Sequence, residues 1–273
     1  MQSMRGMRCS NPIISLGFFL IFMSVVMTVA FFYHLTQELV ISPLDSEISP
    51  GKWSYDRNTT PLIFIGGWPR SGTTLMRAML DAHPDVRCGE ETHLIPIVLN
   101  KLFTYRNNPQ GSQSLVEAGI TDDVLYSALS KFILELVVNH AEPAARLCNK
   151  DPFTLGYMPE LTSMFPLAQF LLMIRDGRAV CYSISSRGVV IRGLNPKNMT
   201  QCLEKWNKSV KKMYTDCMAL GALKCLPVRY EQLVLHPRSV LAKVLEFLKV
   251  SWNDVVLHHE KEINKPGGIS LSR

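Results

Sequence analysis

Leu62-Ile63-Phe64-Ile65 runs into Gly66-Gly67-Trp68-Pro69-Arg70-Ser71-Gly72-Thr73-Thr74, and Leu75-Met76-Arg77-Ala78-Met79-Leu80 follows. The four leading apolar residues suit a buried parallel strand, and the closing six read as the start of a helix. Between them the glycine loop is an anion site in outline. Backbone N–H groups converge there, and the dipole of the emerging helix favours negative charge. This stretch predicts an α/β fold, a mostly parallel sheet flanked by helices, with its ligand at the strands' C-terminal edge.

Gly67 and Gly72 keep the G-x-x-x-x-G spacing of a nucleotide P-loop, but Thr73 stands where the lysine should follow, with Thr74 next. A triphosphate loop uses that lysine on the β- and γ-phosphates and a neighbouring hydroxyl to hold Mg²⁺. Without the lysine, a single terminal phosphate fits better, with Arg70 supplying the cation. Ser71, Gly72, Thr73 and Thr74 complete the expected cradle.

Further strands are expected at Arg146–Asn149, Phe170–Ile174 and Cys225–Arg229. Lys150 follows the first of these, at a strand's carboxyl end, where α/β sites form. Thr121 and Thr200 read as N-caps opening helices at 122–139 and 201–220. Ser183 and Arg187 are four apart, so one helix face can present hydroxyl and guanidinium together.

At 273 residues, with 47% hydrophobic and 19% charged, the chain is neither disordered nor fibrous. Its mean hydropathy of +0.09 is high for a soluble globule. The excess lies in Ile13–Tyr33, 21 residues without a charge, and about 20 are needed to span a bilayer. Arg5 and Arg8 precede that run and Glu38 is the first charge after it. The positive-inside rule then gives a cytosolic tail at 1–12, a transmembrane signal anchor at 13–33, a stem at 34–60 and a lumenal domain at 61–273. A cleaved signal peptide is the alternative, although its apolar stretch is usually shorter and ends at small residues, not Ala30-Phe31-Phe32-Tyr33.

The net charge of +6 belongs wholly to residues 61–273. It suits an acidic partner and is too mild to indicate nucleic acid. Cys9 would be cytosolic. Cys88, Cys148, Cys181, Cys202, Cys217 and Cys225 would face an oxidising lumen, where disulfides are expected and buried thiols are the alternative. Cys217 and Cys225 could close a short loop between a helix and a strand. No C-x-x-C pair or His/Cys cluster at zinc spacing occurs, so no metal is expected. Asn58-Thr59-Thr60 and Asn198-Met199-Thr200 are expected glycosylation acceptors, whereas Asn207-Lys208-Ser209 falls in a predicted helix.

The stretch from Pro61 through Arg70-Ser71-Gly72-Thr73-Thr74 to Ala82-His83-Pro84 resembles the tyrosylprotein sulfotransferases. So do Cys88-Gly89-Glu90-Glu91-Thr92, Cys148-Asn149-Lys150-Asp151-Pro152, Arg175-Asp176-Gly177-Arg178, Tyr230-Glu231-Gln232-Leu233 and Lys265-Pro266-Gly267-Gly268. The resemblance covers Pro61 to Arg273 and implies a P-loop-like sulfotransferase fold. It implies a single-pass type II enzyme of the Golgi membrane that moves a sulfuryl group from PAPS to tyrosines of secreted and membrane proteins, releasing 3′,5′-ADP without a metal. A homodimer is implied as well.

By the same resemblance, Glu91 matches the catalytic glutamate, and a base suits attack by a phenol of pKa about 10. Without the family, Glu90-Glu91 would read as a solvated loop. Arg70 and Lys150 match groups that stabilise the transferring group and the leaving phosphate. Arg175, Ser183 and Arg187 match binders of the 3′-phosphate, Tyr230 lies beside the nucleotide, and Cys88 pairs with Cys148. Two departures stand out. Family members continue beyond Ser272-Arg273 and there supply a catalytic serine, a nucleotide-binding lysine and a last helical region, so this chain reads as C-terminally shortened. His93 and Ile97 replace arginines that hold acidic peptide substrates. A carbohydrate sulfotransferase, or a membrane-anchored binding protein without catalysis, are the alternatives.

Overall fold

The computed structural model describes Met23, Met27, Thr28, residues 55–140 and 142–263, Lys265 and Ile269. The expected cytosolic tail with Cys9, the rest of the membrane span, the stem up to residue 54 and Pro266-Gly267-Gly268 lie outside the described residues. Among the described residues no helix is long and apolar enough to cross a membrane. The chain divides into two units, Met1–Lys52 and Trp53–Arg273, and the second carries the fold.

Five strands form one parallel sheet in the order β2-β3-β1-β4-β5. They are β1 (Ile63–Gly67), β2 (Val86–Arg87), β3 (Arg146–Lys150), β4 (Gln169–Ile174) and β5 (Cys225–Arg229). Between them run α1 (Thr73–Asp81), α2 (Leu94–Arg106), α3 (Pro109–Glu117), α4 (Asp122–Asn139), α5 (Met158–Met164), α6 (Gly177–Ser186) and α7 (Met199–Leu220). After β5 come α8 (Tyr230–Leu235) and α9 (Pro237–Leu248). The expected mostly parallel α/β sheet is thus present, and β1 is central because it is apolar on both faces.

Strand periodicity sorts the core into two layers. Phe64, Phe170 and Leu172 face one side and pack with Leu129 and Ile133 of α4 and Leu161 of α5. Phe64 stacks on Phe170 at 5.6 Å between ring centroids and meets Phe165 at 6.0 Å. Ile63, Ile65, Leu171 and Met173 face the other side and pack with Met76 and Leu80 of α1 and with Leu241, Val244 and Leu248 of α9. Phe64 is fully buried, and truncating such a side chain to alanine costs about 3–5 kcal/mol. At the opposite end from the glycine loop, Arg146 donates to Gln169 Oε1 at 2.8 Å and to the Leu248 carbonyl, holding β3, β4 and α9 in register.

Three local details refine the sequence reading. The N-cap of α7 is Asn198, whose side chain accepts from the Gln201 amide, and not Thr200, which lies inside the first turn. A side-chain oxygen reaches the N–H two or three residues on, and Asn198 meets that condition at the true helix start. The packed chain also begins before Pro61: Tyr55 Oη donates to the Ala144 carbonyl at 2.9 Å, and Thr60 is buried. Finally, three disulfides join the six cysteines: Cys88–Cys148, Cys217–Cys225 and Cys181–Cys202. Disulfides were expected among these cysteines, but the Cys181–Cys202 pairing was left open. Asn58 and Asn198 are both exposed, and Asn207 lies within α7.

Candidate active site

The loop from β1 to α1 is built for close approach. Gly67 has φ 147°, and a Cβ there would meet the Met173 carbonyl oxygen at 2.4 Å, so only glycine lets β1 leave the sheet beside β4. Gly72 caps α1 with φ 94°, and a Cβ there would sit 2.4 Å from the Tyr230 ring. Arg70 between them holds φ 72°, a left-handed conformation that a side chain adopts only under constraint.

Three elements converge on this loop. Arg70 Nε donates to Ser183 Oγ of α6 at 3.1 Å. Arg175, just past β4, donates from Nη1 to the Arg70 carbonyl at 3.0 Å. The same guanidinium lies 4.4 Å from the centroid of the Tyr230 ring at the start of α8, a cation–π contact that fixes both groups. Arg70, Gly72, Arg175, Ser183 and Tyr230 are therefore one cluster. Arg187 lies at the C-cap of α6, exposed, and its amide donates to the Ser183 carbonyl at 3.3 Å. Ser71 is fully buried and its Oγ has no partner, Thr73 is buried, and Thr74 is exposed. An unpartnered buried hydroxyl inside a loop of converging amides fits a phosphate oxygen. The residues present suit a nucleotide phosphate, with two guanidiniums for its charge.

The second wing lies on the neighbouring strand. Ile65 of β1 is in register with Lys150 of β3, and the Asp151 amide donates to the Ile65 carbonyl at 3.1 Å. Lys150 is 4% exposed and its ammonium donates to Glu91 Oε2. Glu91 retains 22% exposure, so its carboxylate faces both the buried lysine and solvent. Its other oxygen, Oε1, is 3.2 Å from His93 Nδ1.

Two constraints place Glu91. The Cys88–Cys148 disulfide ties its loop to β3, as the resemblance implied. From α1, Arg77 donates to the Gly89 carbonyl at 2.6 Å, while Asp81 accepts from the Cys88 amide at 2.9 Å. Burial raises the Asp81 carboxyl above its ordinary range, opposed by the Cys88 amide and the Arg77 charge.

Asp151 was not singled out in the sequence, yet it is fully buried, with the His93 backbone N–H facing its carboxylate. Burial first, and the Glu91 charge second, push its pKa up to about 7. Its position after Lys150 was visible in the sequence; its burial depends on how β3 enters the 3₁₀ turn Pro152–Tyr157.

Residues 61–254 match the profile of the sulfotransferase family, and the chain belongs to that family. Within it, the similarity runs to protein-tyrosine sulfotransferases. The chain is 55% identical over 213 residues to protein-tyrosine sulfotransferase 2 of Gallus gallus, covering 78% of this chain and 57% of that protein. It is 56% identical to protein-tyrosine sulfotransferase 1 of Danio rerio (78% and 60% covered) and 54% identical to the Homo sapiens protein of that name (78% and 58%). The chain thus spans less than two thirds of the length of these relatives. Among solved structures, the sulfotransferase domain of a Synechococcus olefin synthase aligns with a TM-score of 0.54 at 24% identity, covering 77% of this chain and 81% of that one. That likeness concerns the fold alone.

Proposed function

We propose that this chain transfers a sulfuryl group from PAPS to the phenolic oxygen of tyrosine in protein substrates. The observation that carries the reading is the Glu91–Lys150 pair beside the anion loop. It sets a partly exposed carboxylate and a buried cation on one sheet edge, next to a phosphate cradle. The identity to protein-tyrosine sulfotransferases supports the same acceptor.

PAPS would supply an activated sulfuryl group and leave as 3′,5′-ADP. Glu91 takes the phenolic proton, which makes attack feasible well below the phenol's own pKa of about 10. Lys150 and Arg70 stand where negative charge grows on the transferring group and the departing phosphate, and they are already oriented by Glu91 and Ser183. The loop amides of Ser71 to Thr74 hold the phosphate, and Arg175, Ser183 and Arg187 take the 3′-phosphate. Tyr230, braced by Arg175, flanks the nucleotide.

The same reading places the chain in the Golgi membrane as a type II protein. The oxidising lumen is supported by three disulfides among the described residues. Secretory-pathway proteins would be the acceptors, Asn58 and Asn198 would carry glycans, and two copies would form a homodimer.

Full-length chain incubated with sulfur-labelled PAPS and a tyrosine peptide tests the reaction. Label on tyrosine that is lost in Glu91→Gln is the expected result. Donor binding without label on the peptide would overturn the assignment.

A further inference from the structure

One face of α2 runs outward from the base. His93 is the N-cap of that helix, and Ile97, Lys101 and Thr104 follow at i+4, i+8 and i+11, so the four share a side. Ile95, Leu99 and Phe103, on the other side, are buried in the core. Ile97 is 55% exposed. Past it, Lys101 and Thr104 line a cavity of about 790 Å³ that Arg192 also lines, from the connector between α6 and α7. The turn carrying Arg192 is fixed: Gly193 has φ 72°, and Lys205 of α7 donates to its carbonyl.

Among the described residues, two cations line this cavity and no carboxylate does. Two of its amide side chains are already engaged. Asn100 donates to Tyr157 Oη at 3.0 Å, and Asn108 Oδ1 accepts from the Gln110 amide at 3.0 Å. The Lys101 ammonium and the Arg192 guanidinium have no hydrogen-bond or ion-pair partner among the described residues. Between Glu91 and Lys101 the sequence offers no other lysine or arginine, and Ile97 presents an apolar surface there.

We propose that Lys101 and Arg192 take an acidic side chain of the acceptor polypeptide three to four residues away from the tyrosine, with an apolar residue resting on Ile97 in between. The placement of the tyrosine at Glu91 rests on the transfer reading. Lys101 lies eight positions beyond His93, a rise of about 12 Å along the helix. An extended peptide covers that distance in three to four residues at roughly 3.3–3.6 Å each. An acid directly beside the tyrosine would instead meet the apolar Ile97 and the carboxylate of Glu91.

Fluorescein-labelled peptides test this, each with one tyrosine and a glutamate pair placed either beside it or three to four residues away on one side or the other. They are titrated with the full chain and 3′,5′-ADP, read by anisotropy, and then used as acceptors with PAPS. A peptide with remote glutamates is expected to bind more tightly than the one with adjacent glutamates. Lys101→Ala and Arg192→Ala should each weaken it about two- to fivefold, as for exposed charge pairs, and leave the adjacent-glutamate peptide unchanged. Its KM should rise to match while kcat holds, and its advantage should fade from about 0.05 to 0.5 M salt. Both side chains are exposed, so the variants keep the fold. Equal binding of the two kinds of peptide, or unchanged affinity in both variants, overturns the proposal. Peptides that bind in this pattern but are never labelled on tyrosine would overturn the transfer reading and leave the groove standing. Labelling that ignores Lys101 and Arg192 would do the reverse.

Discussion

Arg77 and Asp81, one turn apart on α1 and 3.7 Å from each other, grip the loop that carries Glu91. Arg77 holds the Gly89 carbonyl and Asp81 the Cys88 amide, so the helix that opens at the anion loop also sets the position of the base. The two wings of the site share one rigid support.

Both residues are buried, Arg77 at 2% and Asp81 at 8% exposure. Asp81→Ala leaves the buried Cys88 amide without its acceptor and removes the charge facing Arg77, and is expected to lose about 1–3 kcal/mol of stability. Chemical denaturation measures it. A loss under about 0.5 kcal/mol, the range of ordinary surface substitutions, would show that the pair does not hold the loop.

Gly72→Ala places a methyl group against the Tyr230 ring in a left-handed conformation. Calorimetry with 3′,5′-ADP should then show weakened binding, because Tyr230 and Arg175 must shift together. Gly119 is equally left-handed, at φ 70°, with nothing near its Cβ position. Gly119→Ala therefore carries the backbone strain without the clash, and its ADP affinity should remain that of the wild type.

Glu91→Gln keeps the shape of the base and removes its ability to take a proton. Turnover on tyrosine peptide is expected to fall about 10²- to 10⁴-fold, with 3′,5′-ADP still bound through Arg70, Arg175 and Ser183. A variant with wild-type turnover would remove Glu91 from the reaction.

Asp151 gives a pH signature. Burial and Glu91 raise its folded pKa from 3.8 to about 7, with His93 and Lys150 opposing the shift. A group raised in this way binds its proton more tightly when folded. The stability it brings is complete below the unfolded pKa and is lost as pH climbs through about 7. Asp151→Asn takes no proton, so thermal unfolding should show the variant gaining on the wild type from pH 5 to pH 8. Melting curves that stay parallel across that range would contradict the raised pKa.

The sheet was legible because β1, β4 and β5 announce themselves as apolar runs ending in loop residues, and the glycine spacing fixed where the site must lie. Lys150 could be placed at a strand's carboxyl end, but its role, and Glu91 altogether, were legible only through resemblance, since an acidic pair has no distinctive local signal. The two-residue strand β2 is too short for periodicity to register. Cys181–Cys202 could not be read, because both cysteines sit in helices and nothing local sets the angle at which α6 and α7 meet. The Asn198 cap was obscured by Thr200, an equally good capping residue two positions on. Asp151 was hidden for a deeper reason: its burial is a property of the packing around it, and no neighbour in the sequence reveals it.

Cys181 and Cys202 join α6 to α7 across the exposed connector 187–198, in which Val190 is 92% exposed. A protease that nicks this connector therefore releases no fragment: both halves stay linked, and the cut becomes visible on a gel only after reduction. Ser183, two residues from the bridgehead, would remain anchored beside the phosphate cradle even in the severed molecule.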